Sequence, residues 1–182
     1  MVYLFLADGF EEIEALTPVD LLRRAGIEVT TVGIGSTTVT GSHGITVSAD
    51  MSYTDATAHI GEDMEMVILP GGMPGTKNLD ASAVVHKALD LAQEQNAVVA
   101  AICAAPMILG KRGDLKGKEA VCYPGFEEYL KGAKIPDKKV VVDGNTITAK
   151  GMGVALEFGL ALVEKLYGAD KAKALKSAVI AD

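Results

Sequence analysis

The chain has no tryptophan, only two cysteines, and aromatic residues at just 5% of its 182 positions. Cys103 and Cys122 lack the CxxC spacing of a redox pair or zinc site, and neither has a histidine at ligand spacing. No metal site is therefore expected, nor a structural disulfide in a chain without a secretory signal. Positive charge is scarce as well. There are 17 Lys and Arg against 24 Asp and Glu, for a net charge of −7. A phosphate-binding face needs clustered Lys and Arg, and here they are scattered, so no nucleic-acid partner is expected. Long hydrophobic runs are missing too. The greasiest stretch, residues 97–110, is broken by Pro106 and is too short to span a bilayer, so no membrane partner is expected. Residues 1–7 are apolar with no basic leader and no small-residue cleavage site. They read as a strand, and the cytoplasm is the expected location. Length and the 49% apolar content fit one domain over residues 1–182.

What is present is an alternation of short apolar runs with helical patterns. Residues 2–7, 28–32, 66–69 and 98–102 read as strands; the last is apolar throughout, as in a central parallel strand covered on both faces. Residues 11–25 read as a helix with Ile13, Leu16, Leu21 and Leu22 on its apolar stripe and Pro18 as a source of a kink or late start. Residues 41–50 read as an extended excursion in which Ile45, Val47 and Ala49 alternate. Residues 82–95, 154–167 and 171–178 read as helices, with Asp170 as N-cap of the last, and another helix begins over 105–110. Asp143-Gly144-Asn145 reads as a hairpin between 139–142 and 146–149. The alternation predicts an α/β fold: a mostly parallel central sheet with helices on both faces. Ligands of such sheets bind beyond the carboxyl ends of the strands.

One such end carries the chemistry. The strand at 98–102 stops at Cys103, and a helix starts at once. The residues two before and two after are Ala101 and Ala105, and a nucleophile elbow needs small residues at those positions because side chains there collide. Pro106 suits a first helical turn, where a missing N–H costs nothing. On such a turn the helix dipole favours the thiolate, and free backbone N–H groups can receive an oxyanion. Pro70-Gly71-Gly72 ends a neighbouring strand and could supply a second N–H. A small buried cysteine is the competing reading. Cys122 has no such turn and reads as packing.

Four blocks resemble the ThiJ/PfpI superfamily: Asp8-Gly9-Phe10-Glu11-Glu12-Ile13-Glu14-Ala15, Leu69-Pro70-Gly71-Gly72, Ala100-Ala101-Ile102-Cys103-Ala104-Ala105-Pro106, and Gly151-Met152-Gly153 ahead of Glu157-Phe158. The branch they are most similar to holds the Parkinson-disease-associated deglycase and the bacterial YajL-type proteins. The resemblance implies a flavodoxin-like, class I glutamine amidotransferase-like fold and a homodimer. It implies Cys103 as nucleophile, Glu14 as its acidic partner, and the N–H groups of Gly72 and Ala104 as the oxyanion site, with Gly71 lining it. Protease-like branches carry His directly after the cysteine; here that residue is Ala104, so peptidase activity is not expected. Other members set a His opposite the cysteine, where this chain has Tyr123. A phenol of ordinary pKa is no base near neutrality but can donate a hydrogen bond.

An ionised carboxylate beside Cys103 opposes a thiolate, so Glu14 is expected to be protonated when the sulfur is ionised, one proton being shared by the pair. Glu11 and Glu12 read as a solvated helix face. Among the histidines, His59 and His86 read as exposed. His43 is a candidate, since related dimers bring a polar side chain from its loop near the site; Arg24 could reach a partner's site in the same way. Gly33-Ile34-Gly35 and Gly151-Met152-Gly153 do not complete a dinucleotide fingerprint, and no cofactor is expected. Two functions remain open: a cysteine-dependent glyoxalase or deglycase acting on small carbonyl substrates such as methylglyoxal, and an oxidative-stress sensor or chaperone-like protein whose Cys103 is oxidised without turnover.

Overall fold

A computed structural model describes residues 1–52, 61 and 63–181; His59 lies outside them. Strands β1 (Val2–Leu6), β2 (Val29–Gly33), β5 (Met51–Ser52), β6 (Met66–Leu69), β7 (Val98–Ile102), β8 (Val140–Asp143) and β9 (Thr146–Ala149) form one sheet in the order β5-β2-β1-β6-β7-β9-β8. All pairings are parallel except β8 with β9. β3 (Thr38–Thr40) and β4 (Thr46–Ser48) form a separate antiparallel hairpin. This is a flavodoxin-like arrangement.

Period-two alternation builds a core on each face of the sheet. Val2, Leu4 and Leu6 of β1 face helices α1 (Glu12–Arg24), α5 (Ala155–Tyr167) and α6 (Ala169–Ala178). Tyr3 and Phe5 face α2 (Gly75–Asp80), α3 (Ala83–Glu94) and α4 (Pro106–Arg112). Phe5, Phe10 and Phe158 are wholly buried, each contributing about 1.5–3 kcal/mol of apolar transfer. No helix among the described residues is long and apolar enough to cross a membrane.

Several local expectations need correction. Pro18 sits inside α1, and the buried residues of that helix are Glu12, Glu14, Ala15, Pro18, Val19, Leu21 and Leu22. Ile13 and Leu16 face outward. The 41–50 excursion is part of the hairpin that starts at Thr38; Ile45 is in its turn and exposed, and only Ala49 is fully buried. The last helix begins at Ala169 with Gly168 as cap, so Asp170 lies in the first turn and is not the N-cap. His86 is half-buried. Its Nε2–H donates to Asp80 O at 2.7 Å, and Arg112 Nη1 donates to its Nδ1 at 3.1 Å.

Candidate active site

The site is assembled from the carboxyl ends of β6, β7 and β9 and the start of α1. β7 ends at Ile102, and Cys103 follows in the left-handed region, φ +64°. A non-glycine residue there costs about 1–3 kcal/mol and persists only where its surroundings hold it. Two hydrogen bonds do so: Cys103 N–H donates to Ala149 O at 2.9 Å, and Tyr123 N–H donates to Cys103 O at 2.7 Å. Ala101 and Ala105 are fully buried on either side of the turn, and Pro106 is the first residue of α4. The elbow read from small residues and proline is present.

Glu14, on the first turn of α1, is 1% exposed. Its backbone N–H is capped by Glu11, whose Oε2 accepts at 2.7 Å. Its carboxylate Oε2 accepts from Gly71 N–H at 3.0 Å. Oε1 is buried with no hydrogen-bond partner. Cys103 Sγ and Met152 N–H lie beside the carboxyl and pull its pKa down, although neither is aligned to complete a bond to Oε1. Burial outweighs them and, with the nearby Glu11 charge, lifts the Glu14 carboxyl to about 7.

Gly71 is what lets the carboxyl and the sulfur meet. A Cβ there would sit 2.5 Å from Glu14 Oε2 and 2.7 Å from Cys103 Cβ. Gly72 has φ +92°, and a Cβ there would lie 2.6 Å from Gly9 O. The N–H groups of Gly72 and Ala104 lie near enough to Cys103 Sγ to pull its pKa down, although neither completes a hydrogen bond to it. The acidified thiol read from the helix start is nonetheless opposed: burial first, then the charge and hydrogen-bonding of Glu14, push Cys103 up to about 12. Two of those three causes exist only while Glu14 is ionised. When Glu14 holds the proton they vanish, and the two N–H groups act against burial alone. The two groups therefore titrate as a coupled pair, with the carboxyl giving up its proton before the thiol.

Tyr123 stands at the mouth, 50% exposed, with its ring edge-on to Phe126 at 6.3 Å. His43 and Arg24 are not brought to the pair within the chain. Among the described residues neither bonds to Cys103 or Glu14. Arg24 pairs with Asp20 at 2.6 Å, about 15 Å along α1 from Glu14. His43 Nδ1 lies 3.0 Å from Glu12 Oε2. Glu12 itself was expected in solvent and is 2% exposed: its Oε1 accepts from the N–H groups of His43 at 2.8 Å and Ile45 at 3.4 Å, clasping the hairpin to α1. Glu11, Glu12 and His43 gather their ligand atoms within 4.8 Å of one another, but both carboxylates already hold backbone N–H groups. Cys122 is buried, and burial lifts its thiol to about 11. Sequence reasoning did not single out Met73 or Ala149, and it quoted Met152 only as part of a motif; methionine and alanine carry no chemical mark of a site.

Sheet order and elbow define a flavodoxin-like protein with a cysteine at the nucleophile position. The pattern of the DJ-1/PfpI family matches residues 1–165, and the chain belongs to that family. It is 37% identical over 179 residues to the Parkinson disease protein 7 homolog of Danio rerio, covering 96% of this chain and 94% of that one. It is 31% identical over 158 residues to a deglycase of Pyrococcus abyssi, covering 84% and 90%. The solved structure of oxidized Toxoplasma gondii DJ-1 superposes with a TM-score of 0.92 at 34% identity, over 98% of this chain and 97% of that one.

Proposed function

We propose that the protein is a cysteine-dependent enzyme acting on small reactive dicarbonyls such as methylglyoxal, or on their adducts with amines and thiols. The observation that supports this best is the coupled pair: a sulfur on a left-handed turn, with two backbone N–H groups near enough to favour its thiolate, beside a buried carboxyl with one unpartnered oxygen. The relative named a deglycase points the same way. In a glyoxalase-type cycle the Cys103 thiolate adds to the aldehyde carbon, and the Gly72 and Ala104 N–H groups receive the oxyanion. Glu14, which holds the thiol's proton at that stage, passes it to the oxyanion; its carboxylate then takes the proton from that carbon and returns it to the neighbouring one, which gives the thioester of an α-hydroxy acid. Water then cleaves the C–S bond, releasing the acid and restoring the thiol. The net change is addition of one water, so no electron acceptor is required and the reaction needs no cofactor. Peptidase activity is not part of the reading, because no histidine flanks the sulfur.

Lactate formation from methylglyoxal by the native protein, abolished in Cys103→Ala, is the expected result. Equal turnover in the two proteins would overturn the proposal. A second reading has its own support: a protonated Glu14 can donate to a cysteine sulfinate, and the Toxoplasma relative is described as oxidized. Dioxygenated Cys103 after mild peroxide, with no turnover of any dicarbonyl, would select that stress-sensor role. The outward Ile13 and Leu16 of α1, with Ile45 of the hairpin, support a homodimer. A cytoplasmic location belongs to the same proposal.

A further inference from the structure

Three large apolar side chains stand exposed around the Cys103–Glu14 pair: Met73 at 37%, Tyr123 at 50% and Met152 at 53%. Each is fixed there by its backbone. Met73 follows Gly72, whose N–H is near enough to Cys103 to pull its pKa down. The N–H of Met152 lies beside the Glu14 carboxyl. Tyr123 donates its N–H to Cys103 O. Its ring also lies over Gly151, where a Cβ would come 3.4 Å from Cδ2. Phe126 steadies that ring from the side. The charges acting on the pair are those of Glu14 and Glu11, both acidic, which disfavours an anionic substrate. Exposed methionine and tyrosine on a rigid frame form an adaptable apolar rim, the usual partner of an aryl or branched alkyl group.

We propose that Met73, Tyr123 and Met152 are specificity-determining residues that select neutral carbonyl substrates bearing an apolar, preferably aryl, substituent. The selection rests on the dicarbonyl reading of the same sulfur, but it can be tested without turnover. Phenacyl bromide and bromoacetone are α-bromoketones that differ only in phenyl against methyl. Each alkylates a thiolate by forming S–C and releasing bromide. The ratio of their rates at Cys103, read by peptide mass spectrometry and divided by the same ratio for glutathione, isolates the rim.

A preference for the phenyl reagent of about tenfold is expected, the low end for an extra apolar group met by apolar side chains. In the combined variant Met73→Ser, Tyr123→Ser, Met152→Ser it falls toward one. These side chains are exposed, so the variant should melt near the native temperature. A normalised ratio of one in the native protein, or a ratio unchanged in the variant, overturns the selection. The kcat/KM ratio for phenylglyoxal over methylglyoxal separates the two proposals. Turnover of both at equal efficiency with no labelling preference sinks the rim and leaves the enzyme. A labelling preference with turnover of neither sinks the enzyme and leaves the rim.

Discussion

Replacing Glu14 by Gln should make the protein more stable, and by an amount that grows with pH. The folded protein lifts this carboxyl from 4.5 to about 7. An acid with a raised folded pKa binds its proton more tightly when folded, so it costs nothing well below pH 4.5. Its penalty accumulates as pH rises from 4.5 through 7 and is constant above that. Linkage puts the penalty at about 1 kcal/mol at pH 5 and about 3 kcal/mol at pH 8. An amide does not titrate, so Glu14→Gln should gain about 2 kcal/mol more over the native protein at pH 8 than at pH 5. For a chain of this length that is a difference of roughly 4–8 °C in Tm. Thermal melts of both proteins at the two pH values measure it directly. An equal Tm difference at pH 5 and pH 8 refutes the raised carboxyl, and a difference that shrinks with pH refutes its direction.

The other predictions concern the elbow and the hairpin. Cys103→Gly should be more stable than Cys103→Ala by about 1 kcal/mol, because only glycine holds φ +64° without strain; urea denaturation giving the opposite order would remove strain from the account. Glu12→Ala should release the hairpin, with amide exchange at His43 and Ile45 accelerating while the central strands stay protected. In the native protein burial alone would raise the Glu12 carboxyl, but the bonds from His43 and Ile45 win and hold it below 4.5; the bond and charge of Glu12 lift His43 above 6.5. The Glu12 contribution is lost as pH falls through its lowered value, and that of His43 as pH rises through its raised one. Protection of these amides should therefore be greatest between pH 4.5 and 6.5, and a flat profile across that window would count against the clasp.

Much of the fold could be read from the residues, for a physical reason. The stretches 66–69 and 98–102 are strands at the expected bounds, because a strand covered on both faces must be apolar along its length; 146–149, with Thr146 and Thr148, is legible instead from the Asp143-Gly144-Asn145 turn before it. The first helix was misread at its face. Its buried side includes two carboxylates, Glu12 and Glu14, and a stripe sought among apolar residues passes over them in favour of Ile13 and Leu16. β5 has two residues, too few for any period to register. At the site, Cys103 was legible from local sterics: alanine on both sides and proline at the helix start. Glu14 was not, since nothing in its own segment separates it from Glu11 and Glu12, and only the family resemblance chose it. What separates them is that the side chain of Glu14 reaches Gly71, 57 residues away, and accepts from its N–H, whereas Glu11 meets the same residue through its backbone.

That separation has a consequence for the life of the chain. Cys103 borrows its geometry from Ala149 and Tyr123, and Glu14 borrows its from Gly71. A ribosome-bound chain that has emerged only as far as α4 thus carries an unremarkable thiol. The left-handed turn at Cys103 is held from both sides only once β9 docks, late in synthesis, and it loses that support whenever the strand is released.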